Sequence, residues 1–521
     1  MSTLTIARPM QCSRARRASA ATGALLLACL AVAGCSSDDP DPAAPSRIDA
    51  STSTTRAAVP TTAEPTGPTA DISAEITGGQ GAYMGEATVL DLESVGYAEY
   101  EYSARGTATS YRATSALTND GRWTFAPDER ASYNTRVIVR APADAADFSG
   151  TVIVEWLNVS GGVDANPEWV SVAEEIVRAG HAWVGVSAQR IGVEGGPVLV
   201  RVEGLPGADD QGKGMKAIDP ERYGSLAHPG DGFAFDIFSQ IARALRTGTA
   251  LNGLQPQRLI AAGESQSAFA LVSYYNGVQP LTNAFDVFFV HSRGAVGLPL
   301  VAPGEYADIA GAISGTATIF RTDLDAPVLD IQTEGDVTSI LNSYAARQPD
   351  TDRFRLWEIA GTAHADLHLV GESAEFIDCG VPINNGPMHV VAKAALRALT
   401  TWLDTGVPPA SAPRLEIDNP ESPQIRRDAD GIALGGIRTP PVDVPVATLS
   451  GVAGPNPSTI CLLLGSTTAF SEARLAALYE SGADYADRYD AAFDATVAAG
   501  FALAEDRELM LEFADASGIP G

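Results

Sequence analysis

At 521 residues the chain is longer than one simple core usually grows, and 45% hydrophobic residues suffice to fill one large domain with additions. With 64 acidic residues against 35 basic ones the formal charge is −29. That surface repels phosphate backbones and anionic headgroups, which argues against nucleic-acid partners and against direct electrostatic binding to a membrane. It is read as an adaptation for solubility or salt rather than as a site for a cationic substrate.

The first residues read as an export signal. Arg8, Arg14, Arg16 and Arg17 form a basic start, and Ala18 to Ala33 is an apolar run too short to span a bilayer comfortably. The run ends in Val32-Ala33-Gly34-Cys35, which looks like a bacterial lipobox, where the Cys receives diacylglycerol and becomes the mature N-terminus. Residues 1–34 are therefore expected to be a lipoprotein signal peptide and Cys35 the lipidation site. This places the protein outside the cytoplasm, held to a cell or outer membrane through the lipid anchor only. Ser36 supplies no retention signal of the Asp type. Residues 35–71 are rich in Ser, Thr, Pro, Ala and Asp and cannot bury a core, so they read as a disordered tether. No later stretch is apolar enough, for long enough, to cross a membrane.

From Ile72 to Ala145 apolar and polar residues alternate, as in Glu99-Tyr100-Glu101-Tyr102 and Arg136-Val137-Ile138-Val139-Arg140, which predicts antiparallel sheet in a β-rich part, 72–145. Strands and helices then alternate through a core, 146–405. Strands are expected at Thr151 to Leu157, Ala182 to Ser187, Arg258 to Ala262, Phe285 to Val290, Pro327 to Gln332 and Phe354 to Ile359. Helices are expected at Pro167 to Arg178, Asp231 to Arg246, Ala268 to Tyr275 (stopped at Asn276-Gly277) and Pro387 to Asp404. This order predicts an α/β fold with a mostly parallel sheet covered by helices on both faces. A Gly- and Pro-rich excursion runs from Gly294 to Ala326, and residues 406–521 form a C-terminal addition packed on the core.

Gly263-Glu264-Ser265-Gln266-Ser267 lies between an apolar strand and a helix that is apolar nearly all round. A strand, a sharp turn with Ser at its apex and a helix form the nucleophile elbow of an α/β-hydrolase fold. A serine hydroxyl is a weak nucleophile, so it must stand where a His can take its proton and where helix-start amides can receive the oxyanion. Gly263 and Ser267 are the small residues that the close approach of strand and helix requires, although Ser replaces the usual second Gly. The plain alternative is an ordinary strand-to-helix turn with a buried Ser.

In this fold the order is Ser, acid, His. His364 follows the last strand on a small-residue loop and is the favoured base over His368 and His389. Glu334 and Asp336 leave the strand before it and compete as the acid, with Asp336 favoured by loop position. The oxyanion donors are assigned to the amide of Gln266, at the helix start, and to the amide of Val159 in Asn158-Val159-Ser160-Gly161-Gly162. Asn158-Val159-Ser160 is also a formal glycosylation sequon. No metal site emerges: His364 and His368 stand four apart without the Glu of a zinc-protease helix, and Asp428-Ala429-Asp430-Gly431 lacks a calcium loop's final Glu and reads as a hairpin turn. Cys12 and Cys29 leave with the signal, so Cys379 and Cys461 remain as thiols in an oxidising compartment and are expected to form a disulfide.

The runs Val152-Ile153-Val154-Glu155-Trp156-Leu157-Asn158-Val159-Ser160, Gly263-Glu264-Ser265-Gln266-Ser267, Gly361-Thr362-Ala363-His364-Ala365-Asp366 and Gly435-Gly436-Ile437-Arg438-Thr439-Pro440 resemble a bacterial "alpha/beta hydrolase domain" family, over nearly all of the chain from about residue 75. The resemblance implies Ser265, Asp336 and His364 as the triad. The expectation is a surface-tethered serine hydrolase that cleaves a small-molecule carboxylic ester through an acyl-enzyme, without a cofactor. Its rivals are a lipid-anchored binding protein with a non-catalytic version of the fold, and an amide or peptide hydrolase with the same triad.

Overall fold

The alternating segment builds three antiparallel strands, β1 (Asp71–Glu75), β2 (Tyr97–Ala113) and β3 (Phe125–Pro142), paired in chain order. The end of the expected tether is already ordered, for Ala70 is buried with its N–H on Gln240 O at 3.1 Å and Asp71 opens β1. The computed structural model describes residues 65–85, 90–202, 204 and 207–520. The signal segment, Cys35 and most of the tether lie outside the described residues. The β-rich part, the core and the C-terminal addition fall within one compact unit, Ala57–Gly521. Among the described residues no helix is long and apolar enough to cross a membrane.

The core adds β4 (Thr151–Trp156), β5 (Ala182–Val186), β6 (Arg258–Glu264), β7 (Val287–His291), β8 (Val328–Thr333) and β9 (Phe354–Ile359). The nine strands form one sheet in the order β1-β2-β3-β5-β4-β6-β7-β8-β9. β5 runs antiparallel to β3, and the six strands from β5 to β9 run parallel. Both faces of the parallel part are covered, so its strands are rich in buried apolar residues, as burial on both sides demands. In β4, Val152, Val154 and Trp156 join one core with α2 (Ala234–Leu245) and α3 (Gln266–Ser273). Ile153 faces the other core, with α1 (Pro167–Arg178) and α4 (Met388–Thr405).

Glu155, a charged residue in this central strand, is explained by the helix that follows. Its carboxylate accepts the Glu168 N–H at 3.0 Å, the Trp169 N–H at 3.1 Å and the Trp183 indole N–H at 2.7 Å. It thus satisfies open amides at the start of α1, where Asn166 makes no side-chain cap.

Two local expectations need correction. The helix after the elbow does not stop at Asn276-Gly277. It passes through a π-helical turn, Tyr274–Val278, into Gln279–Thr282. Asn276 stays because its amide donates to Ile319 O at 2.9 Å and its carbonyl oxygen accepts the Arg321 N–H at 2.9 Å. Gly277 stays because a Cβ there would sit 2.2 Å from the Phe125 ring. The loop position expected for Asp336 after β8 is instead a short helix, Glu334–Thr338, capped at Thr333.

The C-terminal addition carries its own apolar cluster, in which Tyr485, Tyr489 and Phe493 of α5 (Gly482–Ala498) pack with Val390 of α4. Asp506 pairs with Lys393 of α4 at 3.2 Å and Arg178 of α1 at 2.6 Å. Cys379 and Cys461 form the expected disulfide, with Cα atoms 5.4 Å apart. Asp428 accepts the amides of Asp430 and Ile432, each at 2.9 Å, inside the hairpin closed by the Arg427 and Ala433 bridge, as the turn reading expects.

Candidate active site

β6 delivers Ser265 at a strained turn, with φ 59° and ψ −121°. Positive φ is costly for a residue with a Cβ and persists only where the surroundings impose it. Here the Ser265 N–H donates to His291 O at the end of β7, 3.0 Å away, and α3 starts at the next residue. The crowding predicted for this elbow is present: a Cβ on Gly263 would lie 2.9 Å from the Ser267 Cβ.

β8 and β9 supply the other two groups. Asp336 is the third residue of the short helix after β8, where the capping box turns its carboxylate back on the Thr333 N–H at 2.6 Å. β9 runs into Gly361 (φ 75°), and the following loop passes so close to Gly335 that a Cβ there would lie 3.1 Å from the His364 N. The small residues on both loops thus let them approach.

His364 Nδ1 lies 2.6 Å from Asp336 Oδ1, and its Nε2 lies 2.8 Å from Ser265 Oγ. With the Nδ1 proton turned to the carboxylate, Nε2 is an acceptor for the Ser265 hydroxyl. Asp336 is fully buried, and burial pushes its carboxyl up. The His364 charge, the His364 hydrogen bond, the Thr333 N–H and the Ser292 hydroxyl outweigh that and hold it below its ordinary 3.8.

Ser292 is a member that the sequence reading missed. Its hydroxyl donates to Asp336 Oδ2 at 2.7 Å, from a fully buried position with φ 54° one residue past β7. Place in the chain is the one sequence signal it offers. His291, which precedes the acid in the chain and so reads as a packed residue, is buried beneath the elbow, where two carboxylates that the sequence does not reveal flank it. Its Nδ1 stands 3.5 Å from Glu168 Oε1 and 3.5 Å from Glu264 Oε2. Burial holds the Glu168 carboxyl well above its ordinary value.

The competing residues are engaged elsewhere. Glu334 Oε1 accepts the Gly361 N–H at 2.6 Å, while Oε2 accepts the Gly451 N–H at 3.1 Å and pairs with Arg427 at 2.6 Å. It fastens the His364 loop to the C-terminal addition. His368 Nε2 meets Val170 O at 3.1 Å, and its ring stacks on His389 at 3.7 Å. Burial, with the neighbouring His368 and Lys393, holds His389 well below its ordinary value.

The oxyanion assignment is corrected in part. The Gln266 N–H begins α3 beside Ser265, as expected, but the Val159 N–H donates to the Gln266 side-chain Oε1 at 3.2 Å. The Gln266 amide is held there by Gln189, which also accepts the Trp156 indole N–H at 3.0 Å. Asn158 is buried and donates to Glu264 O at 3.0 Å, so the sequon amide is spent on the elbow. Among the described residues no group of three or more His, Cys, Asp and Glu side chains is placed to hold a metal ion.

Ser265 and His364 open on a cavity of about 540 Å³ lined mainly by apolar side chains. That size lies within the roughly 300–1,000 Å³ of small-molecule sites.

A family model described as "Alpha/beta hydrolase domain" matches residues 66–512. No curated protein matches the chain. Solved structures that it resembles include a fungal esterase from Rhizomucor miehei, at 11% identity over 61% of this chain and 93% of that one, with a TM-score of 0.28. Another is carboxyl esterase 2 from Tuber melanosporum, at 12% identity over 56% and 87%, with a TM-score of 0.27. A lidless serine hydrolase from Xanthomonas campestris shows 14% identity over 49% and 86%, with a TM-score of 0.25. At these values the overlap says nothing of what this chain acts on.

Proposed function

Because the chain belongs to the alpha/beta hydrolase domain family, we propose that it is a serine hydrolase that cleaves carboxylic esters, tethered to a membrane through Cys35. One observation carries the chemistry. Ser265 Oγ, His364 Nε2, His364 Nδ1 and Asp336 Oδ1 form an unbroken hydrogen-bonded relay at an open cavity.

In the proposed reaction His364 Nε2 takes the Ser265 proton as Oγ attacks the ester carbonyl carbon. The carbonyl oxygen becomes an oxyanion in front of the Gln266 N–H, where the start of α3 favours negative charge. Asp336 holds the ring and stabilises the imidazolium without taking its proton. His364 then gives that proton to the leaving alcohol oxygen as the carbon–oxygen bond breaks. A water molecule, deprotonated by His364, hydrolyses the acyl-enzyme and restores Ser265. The Val159 amide joins the oxyanion site only when the Gln266 side chain yields it, so the Gln266 main-chain N–H is the primary donor in this scheme.

Turnover of p-nitrophenyl esters by the purified protein and by Ser265→Ala tests the proposal. The wild type should hydrolyse them, and the variant should lose several powers of ten in kcat/KM while keeping its fold. Near-wild-type turnover by the variant overturns it.

A further inference from the structure

Two cavities meet at Ser265, and they differ greatly in size. The larger, about 540 Å³, follows the His364 loop, where Ala365, His368, Leu369 and Ile377 line it with Val170 and Ile460. The smaller, about 40 Å³, lies against the first turns of α3, between Gln266, Phe269, Ile309, Ile313 and Leu341. Ser160, Val200, Ser265, His364 and Leu463 border both.

Their positions separate the two halves of an ester. In the tetrahedral species on Ser265 Oγ the oxyanion faces the Gln266 N–H. The leaving oxygen must lie within reach of His364 Nε2, which protonates it. The space along the His364 loop therefore receives the alcohol, and the niche along α3 receives the acyl chain. A cavity needs roughly 10–15 Å³ for each water-sized occupant, so the niche holds a short chain only. Among the described residues that line the two cavities there is no Lys or Arg, and the larger one is bordered by Glu264 and Glu372. A carboxylate on the alcohol would meet no counter-charge there.

We infer that the substrate joins a short acyl group, acetyl to about butanoyl, to a bulky, uncharged alcohol. This rests on the hydrolase reading above. The disulfide serves the same partition, since Ile377 and Ile460 stand beside Cys379 and Cys461 and form the alcohol-side wall.

Two ester series tested on the purified chain decide the matter. One lengthens the acyl chain from acetyl to octanoyl on 2-naphthol, and the other enlarges the alcohol from ethanol to 2-naphthol in acetates. A methylene that a pocket cannot hold costs roughly 10- to 200-fold in kcat/KM. The acyl series should therefore fall at least about tenfold beyond butanoyl, while the acetate series holds or rises with alcohol size. Ile313→Ala should move the acyl cut-off to longer chains. Turnover with tolerance of long acyl chains, with rejection of bulky alcohols, or with a cut-off that Ile313→Ala leaves unmoved overturns the partition and leaves the hydrolase reading standing. No turnover of any ester in either series overturns both.

Discussion

Replacing Ser292 by Ala should slow the reaction without unfolding the protein. Ser292 is fully buried and is not among the described residues lining either cavity; its hydroxyl donates to Asp336 Oδ2 at 2.7 Å and acts through that carboxylate. Hydrogen bonds to charged groups contribute about 1.5–3 kcal/mol, and Asp336 retains the Thr333 N–H at 2.6 Å and His364 at 2.6 Å. The lower end therefore applies, and about 1.5 kcal/mol corresponds to roughly tenfold in rate. Ala meets the same positive φ as Ser, so the backbone gains no new strain. The loss should fall on kcat with KM unchanged, in ester turnover read beside an unaltered circular dichroism spectrum. Stability should respond to pH as well. Asp336 is held below its ordinary 3.8, so its contribution is fully present above that value and fades as pH falls through the lower folded-state value. Removing a donor raises the folded-state value. The stability gap between wild type and variant should then be widest above about pH 5 and close as pH falls. A kcat within twofold of wild type, or a gap constant across pH, would refute the positioning role.

His364→Ala should cost several powers of ten in turnover, whereas His368→Ala should stay within about tenfold, since His368 binds Val170 O and lines the cavity; the reverse ranking reassigns the base. Cys461→Ser opens a link across 82 positions and should cost on the order of 4 kcal/mol in urea unfolding, with KM for bulky esters raised. A loss below about 1 kcal/mol would mean that the bond constrains little. Cys35→Ser should leave the protein unlipidated and in the soluble fraction of cell lysates and medium, because the proposed anchor is the acylated Cys alone. A variant that stays with the membranes refutes the anchor.

The sequence carried much of this architecture because its signals are local. Val152 to Trp156 alternate between the two cores, and Gly263 and Ser267 are small where strand and helix touch. What stayed hidden depends on distant partners. Asp336 and Glu334 stand two apart on one helical turn and face different ways. The C-terminal addition reaches back through Arg427 and Gly451 to occupy Glu334, and no local pattern reveals that. Ser292 enters the site because β7 lies between β6 and β8 in the sheet. The stop at Asn276-Gly277 was misread because Ile319 and Arg321 satisfy the Asn side chain from an excursion without regular pattern. The Val159 amide is close to the elbow, as expected, but the Gln266 side chain reaches it first.

The chemistry proposed for this protein depends on Ser265 being an activated nucleophile. A fluorophosphonate probe reacts with such a serine and with few others, and mass spectrometry locates the adduct. The wild type should carry one phosphonyl group on the peptide containing Ser265, and labelling should collapse in His364→Ala, where the hydroxyl has lost its base. An unlabelled wild type, or an adduct on another residue, would contradict the account.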